Sequence, residues 1–214
     1  MAKYALLEVL LITLIGGGAT IAALVWLGPW SLIPGVLTIL LLQFYRDPPR
    51  WTPEGDNLLI SPADGRIMSV ERNWQPPGGG AAELRICIFL NVFNVHVNRA
   101  PCAGEVAAID YSPGLFLNAM NPEATLKNEN NLVTMMPTGP IPGPIRVRQI
   151  SGLLAKRIVC ELQVGDRVAA GERFGMIKLG SQTEIRVPED ARWKVSVAVG
   201  QKVYGGATVL ASIE

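Results

Sequence analysis

Three short stretches hold the residues whose types and spacing are suited to chemistry. They are Ser61-Pro62-Ala63-Asp64-Gly65, Asn94-Val95-His96-Val97-Asn98-Arg99-Ala100-Pro101 and Ile177-Lys178-Leu179-Gly180-Ser181. They offer a carboxylate in a turn, an imidazole on a strand of alternating polarity, and a hydroxyl directly after a glycine carbonyl. Taken singly, each has a plainer reading. Asp-Gly makes turns, a lone histidine on an alternating strand is usually a satisfied structural residue, and Gly-Ser after a strand usually closes a loop. His96 is the one histidine of the chain, which argues against a histidine-based metal centre, and no metal is expected. Cys87, Cys102 and Cys160 lie far apart without Cys-x-x-Cys spacing and read as reduced core residues. The net charge of +1 and the lack of a Lys/Arg run give no reason to expect a nucleic-acid partner.

The elements that must position these residues fall into two parts. Hydrophobic residues make up 49% of the 214 and charged residues 17%, but the apolar excess is uneven. Residues 4–45 contain one acid, Glu8, and no base. Two apolar runs, Tyr4 to Trp26 and Leu27 to Phe44, give about 34 and 27 Å as helices, against a hydrocarbon core of about 30 Å. Gly28-Pro29 and Pro34 interrupt them as a hairpin turn would, with Trp26 and Trp30 suited to an interface. A cleaved signal peptide fits poorly, because the stretch is long, Glu8 interrupts it and a second run follows directly. Residues 1–46 are therefore expected to be a membrane-anchoring helical hairpin, its second run either crossing the membrane or lying along it. Lys3 before the hairpin, and Arg46 and Arg50 after it, place both ends in the cytoplasm by the positive-inside rule. The expected location is the cell membrane, with the remaining domain facing the cytoplasm.

Residues 47–214 read as β. Short strand-like runs stand at Arg66–Val70, Leu84–Leu90, Gly104–Tyr111, Asn131–Met136, Ile145–Ile150 and Arg157–Glu161, separated by Gly and Pro. Asn73–Ala82 is a Pro/Gly-rich loop or hairpin tip, and Leu115–Asn131 an irregular loop with room for one helical turn. Val164-Gly165-Asp166-Arg167-Val168 and Val199-Gly200-Gln201-Lys202-Val203 repeat the pattern V-G-x-x-V-x-x-G before an apolar strand. This is similar to the turn-and-strand unit of the biotinyl/lipoyl barrel-sandwich fold. The expected fold is mainly β: a compact antiparallel domain with a barrel-sandwich-like C-terminal half, preceded by a hydrophobic helical hairpin.

Together, in this order and spacing, the three stretches resemble the phosphatidylserine decarboxylase family in its short, two-helix-anchored form, across nearly the whole chain. The residues that carry the resemblance are P-x-D-G at Pro62–Gly65, V-H-V-N-R-A-P at Val95–Pro101, Gly104, and G-M-I-K-x-G-S at Gly175–Ser181. The resemblance implies decarboxylation of phosphatidylserine, or of an archaeal counterpart, by a pyruvoyl group that the chain makes from Ser181. It also implies self-cleavage between Gly180 and Ser181. A carbanion at the substrate Cα needs an electron sink, and no side chain supplies one. Ser181 Oγ would attack the Gly180 carbonyl, the peptide would become an ester, and elimination would release residues 1–180. Hydrolysis would then leave a pyruvoyl cap on residues 181–214.

In that scheme Gly180 allows the bent backbone, His96 is the base and later the acid, and Asp64 orients its imidazole. Longer relatives carry H-x-x-H, and here the second position is Arg99, which leaves open whether His96 serves both steps. Lys178 reads as a strand-edge lysine in water, with the lipid phosphate as the alternative. The two fragments are expected to stay associated, a homo-oligomer being compatible with the sequence. The competing reading is a membrane-tethered barrel-sandwich adaptor or carrier without catalysis. It leaves V-H-V-N-R-A-P and G-S unexplained, and the repeats lack a modifiable lysine in the usual M-K-x hairpin.

Overall fold

A computed structural model describes residues 1–26, 28–117, 123–152, 157–178 and 181–214. Gly180 of the expected cleavage site lies outside the described residues. The chain divides into two compact units, Met1–Pro49 and Arg50–Glu214.

The first unit is a helical hairpin of α1 (Leu6–Trp26) and α2 (Leu32–Phe44), with a 3-10 turn at Gly28–Ser31. Lys3–Trp26, 24 residues of mean hydropathy 2.2, is long and apolar enough to cross a membrane. α2 has 13 residues, hence a length of about 20 Å, short of a ~30 Å hydrocarbon core. The turn has taken up the residues that the expected 27 Å run counted. Pro34 does not break α2, because it falls in the first turn, where a backbone N–H has no intrahelical acceptor to lose. The helices meet through small residues: a Cβ on Gly16 would lie 2.1 Å from Thr38 Oγ1, and one on Gly35 3.4 Å from Thr20 Cγ2. The hairpin closes where Ala2 N–H donates to the Tyr45 carbonyl at 2.7 Å.

The second unit is built of antiparallel strands. Its first half holds β1 (Leu58–Ile60), β2 (Gly65–Trp74), β3 (Glu83–Leu90), β4 (Val97–Arg99) and β5 (Gly104–Ser112). After the one-turn helix α3 (Ala124–Lys127) come β6 (Asn130–Pro137), β7 (Ile145–Ile150), β8 (Arg157–Cys160), β9 (Arg167–Val168) and β10 (Arg173–Lys178). The chain ends with β11 (Ser181–Pro188), β12 (Trp193–Val195), β13 (Lys202–Val203) and β14 (Val209–Ile213). Eight strands form a curled sheet in the order β13-β2-β3-β11-β7-β6-β5-β9, and two three-stranded sheets, β1-β14-β12 and β4-β10-β8, complete the unit. Alternation sorts the large sheet's residues. Leu84, Ile86, Ile88 and Leu90 of β3, Ile185 and Val187 of β11, and Ile145 and Val147 of β7 join one buried core. The opposite face carries Arg85, Glu184, Arg186 and Arg146, linked through Glu71 and Glu83 in ion pairs.

The V-G-x-x-V repeats hold the two edges of this sheet. Gly200 N–H donates to the Ile67 carbonyl of β2 and Ile67 N–H to the Gln201 carbonyl, at 2.8 and 3.0 Å. Gly165 and Asp166 grip Val106 of β5 in the same way, at 2.8 and 2.9 Å. Each repeat then turns through a left-handed glycine, Gly171 (φ 74°) or Gly206 (φ 75°), which side chains rarely allow. Those glycines donate to the Ala100 and Ser61 carbonyls, both at 2.8 Å. Ser61-Pro62-Ala63-Asp64-Gly65 and Ala100-Pro101-Cys102-Ala103-Gly104 are thus equivalent turns. The Arg99 N–H to Pro62 bond (2.9 Å) and the Ile60 N–H to Pro101 bond (2.8 Å) complete the pseudo-twofold relation. Asp64 occupies the place that Ala103 has in the other half.

Candidate functional site

One rim of the large sheet gathers the chemistry. Antiparallel register sets Leu90, the last residue of β3, opposite Ser181, the first of β11. Gln182 lies opposite Ile150 at the end of β7. Asn130 opens β6 opposite both Ile150 and Ser112. The 91–96, 113–117, 123–129 and 151–152 stretches therefore lie at the same rim as Ser181, and β2 enters there after Asp64.

Ser181 is fully buried, and its Oγ has no hydrogen-bond partner among the described residues. A buried hydroxyl left unsatisfied calls for an explanation, and a reactive or liganding role is one. Ser151 shows the same combination. The β11–β7 register, continued by one residue past Gln182–Ile150, sets Ser151 beside Ser181 on the core-facing side. No motif marks Ser151. Its only trace in the sequence is its position just after the apolar β7 run.

His96 reaches this row through β4. Asn98 donates through Nδ2 to Thr183 Oγ1 at 3.1 Å and accepts from Gln149 Nε2 at 2.9 Å. Gln149 Oε1 in turn accepts from Asn131 Nδ2 at 3.0 Å. These four buried side chains seat β4 on the core face of the large sheet. His96 leaves its strand on the same side as Asn98, two residues earlier. β4 runs antiparallel to β10, with Met176 opposite Val97 and Ile177 N–H donating to the His96 carbonyl at 3.1 Å. The step from Asn98 to His96 thus follows β10 towards Lys178 and the two-residue connection to Ser181, which spans at most about 10 Å. His96 is fully buried, and its Nδ1 lies 3.0 Å from the Asn94 carbonyl. A carbonyl only accepts, so Nδ1 carries the proton and Nε2 keeps a lone pair in the neutral ring.

Asp64 stands at the same rim. Two inter-strand spacings, about 10 Å, separate the start of β2 from Ser181 across β3. Its Oδ1 accepts from Gly205 N–H and its Oδ2 from Arg50 Nη2, both at 2.8 Å. The contact at His96 Nδ1 is the Asn94 carbonyl.

Arg99 extends from the other side of β4, where its Nη1 donates to the Gly171 carbonyl at 3.1 Å. A Cβ on Gly206 would lie 2.6 Å from Arg99 Cδ. Arg99 therefore packs into the paired glycine turns and does not share the His96 face. Lys178 differs from its expected solvent setting: it is buried near the end of β10, opposite Arg157. Its strand is the central one of a three-stranded sheet, paired with β4 and β8.

The outer face of the same sheet is separately organised. A cavity of about 500 Å³ there is lined by Ser69, Glu71, Trp74, Arg85, Cys87 and Gln182 among others. Arg85 and Arg186 lie over the Trp74 ring at 4.9 and 5.4 Å. Burial, and then the Glu184 carboxylate, push the Cys87 thiol up to about 11. Burial alone takes Cys102 to about 12. All three cysteines are free thiols, and neither of these two has the lowered pKa of a nucleophile.

Comparison with known proteins follows the same residues. The phosphatidylserine decarboxylase family model matches residues 37–211. A phosphatidylserine decarboxylase proenzyme of Nitrosomonas europaea is 43% identical over 202 residues, covering 92% of this chain and 90% of that protein. Those of Cupriavidus metallidurans and Ralstonia nicotianae are each 42% identical, over 87% and 96% of this chain and 85% and 91% of theirs.

Proposed function

The chain belongs to the phosphatidylserine decarboxylase family and is a decarboxylase, and from that premise we propose that it converts phosphatidylserine to phosphatidylethanolamine with a pyruvoyl group made by cutting itself at Gly180–Ser181. Family membership sets aside the non-catalytic adaptor reading. The observation that carries the proposal is the buried, unpartnered hydroxyl of Ser181 at the first position of β11.

In self-cleavage His96 Nε2 takes the Ser181 Oγ proton. Oγ bonds to the Gly180 carbonyl carbon, and the bond from that carbon to the Ser181 nitrogen breaks, leaving an ester and a free amine. Loss of the Ser181 Cα proton then breaks the Cβ–Oγ bond and releases residues 1–180 with a carboxylate terminus. Water hydrolyses the remaining unsaturated amine, ammonia leaves, and residues 181–214 begin with a keto group. The fit of this group rests on Ser181 itself: among the described residues its hydroxyl has no hydrogen-bond partner. When present, the keto group supplies the electron sink that a carbanion at the substrate Cα requires.

The chain's own residues do the rest. His96, held at Nδ1 by the Asn94 carbonyl, is assigned to returning a proton to the substrate Cα. Asp64, buried against Arg50 and Gly205, is an anionic group of the rim and is assigned to stabilising the charged imidazole. The apolar Lys3–Trp26 helix tethers the domain to the membrane and raises its effective concentration at the lipid. The positive-inside pattern supports a cytoplasmic site at the cell membrane. Association of the fragments after cutting is supported by β11, which lies between β3 and β7.

The test is the mass and N-terminal chemistry of the purified protein. Two pieces, 1–180 and 181–214, with a carbonyl and no free amine on the smaller, are expected. A single 23.1 kDa chain in a preparation that decarboxylates phosphatidylserine would refute self-processing. His96→Ala should abolish decarboxylation in any fraction that is cut; normal CO₂ release from that fraction would remove His96 from its role.

A further inference from the structure

The rim that holds Ser181 also presents large apolar side chains to solvent. Val92 and Phe93 follow β3, Leu115 and Phe116 follow β5, and Leu126 stands on α3. Phe93 is 73% and Leu126 69% exposed. The pairs arise from different connections, yet register brings all of their parent strand ends to one rim. Nothing in local propensity requires phenylalanine here: Phe93 sits within a tight Asn91–Asn94 turn closed by the Asn91 and Asn94 side chains, where polar residues serve equally well. The one exposed charge pair on α3, Lys127–Glu123 at 2.9 Å, is self-neutralising. An exposed apolar cluster of this kind marks a surface that is covered in use.

We propose that this rim, through Phe93 with Val92, Leu115 with Phe116, and Leu126, docks into the interfacial layer of the lipid bilayer and so delivers the serine head group to Ser181. The inference rests on the proposed lipid substrate and adds to it the surface that meets the lipid. Two observations favour a bilayer as the occupant. The chain carries a helix of membrane-spanning length. In addition, a head group reaches only a short way beyond its phosphate, so a site buried at this rim is accessible to an embedded lipid only if the rim itself enters the interface. Aromatic side chains and leucine partition there readily.

The experiment uses the full-length mature protein. The double variant Phe93→Ser/Phe116→Ser, changed at two solvent-facing positions, is expected to cut itself normally. It should decarboxylate a short-chain phosphatidylserine dissolved as monomers at the parent rate. On long-chain phosphatidylserine in phosphatidylglycerol vesicles its rate should fall by about tenfold or more, mainly through KM. Equal vesicle rates for variant and parent would overturn the proposal. Independently of activity, Phe93→Trp should gain fluorescence quenched by brominated lipid beyond that of the five native tryptophans; no added quenching would overturn it. If no phosphatidylserine of either kind releases CO₂, the substrate reading fails while the quenching result still decides the docking. If the serine variant instead lowers the oligomeric mass, with no bromolipid quenching in Phe93→Trp, the face joins copies of the chain and the proposal is wrong.

Discussion

Ser181 and Ser151 each bury a hydroxyl that bonds to nothing described, whereas Asn98 buries an amide that bonds to Thr183, Gln149 and the Pro62 carbonyl. The two situations respond oppositely to truncation. Removing an unsatisfied hydroxyl gives up no hydrogen bond, so Ser151→Ala in the uncut Ser181→Ala background should change the melting temperature little. Ser181→Ala itself should remain a single uncut chain on a denaturing gel. Asn98→Ala strands the Gln149 amide and should cost about 2–3 kcal/mol in denaturant unfolding of the uncut Ser181→Ala background. The Cys87 thiol, raised from 9.0 to about 11, favours the folded state while it stays protonated. That contribution is complete below pH 9 and is lost as pH rises from 9 towards 11, because only the unfolded chain ionises there. The melting temperature should fall across that window, and less so in Cys87→Ala. At this scale Ser181 and His96 are legible in the sequence because motif neighbours surround them. Ser151 and the Asn131–Gln149–Asn98–Thr183 chain are not, because residues 98, 131, 149 and 183 meet only through sheet register.

Among the elements, the glycine turns decide how the sheet edges are closed. Gly165 has φ 93° with open space around its would-be Cβ, while Gly171 has φ 74° and Thr52 Oγ1 only 2.1 Å from that position. Gly165→Ala should therefore cost only the left-handed strain, about 1–2 kcal/mol. Gly171→Ala adds a steric clash and should cost clearly more, as the urea midpoints of the two variants would show. The V-G-x-x-V repeats are visible in the sequence because both copies keep the same turn glycines. Their partners, Ser61–Gly65 and Ala100–Gly104, share only proline and the final glycine. Their equivalence emerges from matched hydrogen bonds, and it shows Asp64 as the point where the two halves diverge. Pro34 illustrates the converse: a breaker by composition, it is harmless in the first turn of a helix.

For the molecule as a whole, strand order lies beyond local reading. Alternation places five of the six expected strands within a residue of their true bounds, while β2 runs four residues beyond the expected Val70; it gives no sign that β11 is inserted between β3 and β7, or that β10 pairs with β4. The insertion of β11 has a consequence for the protein's history. The segment 181–214 supplies an inner strand of the large sheet, an edge strand beside β2, and the partner of β1. Before the cut, this segment finds its place as part of the same chain, with a loop-closure entropy that grows only slowly with length. After the cut, the same placement becomes a meeting of two molecules. Refolding of Ser181→Ala from urea in detergent should therefore proceed at a rate independent of protein concentration, while the mature two-piece protein should refold more slowly as it is diluted. Equal, concentration-independent rates would show that the pieces never separate. Under the proposed cut, cleavage in this architecture acts as a ratchet: the chain has one opportunity to assemble easily, and activation would use it up.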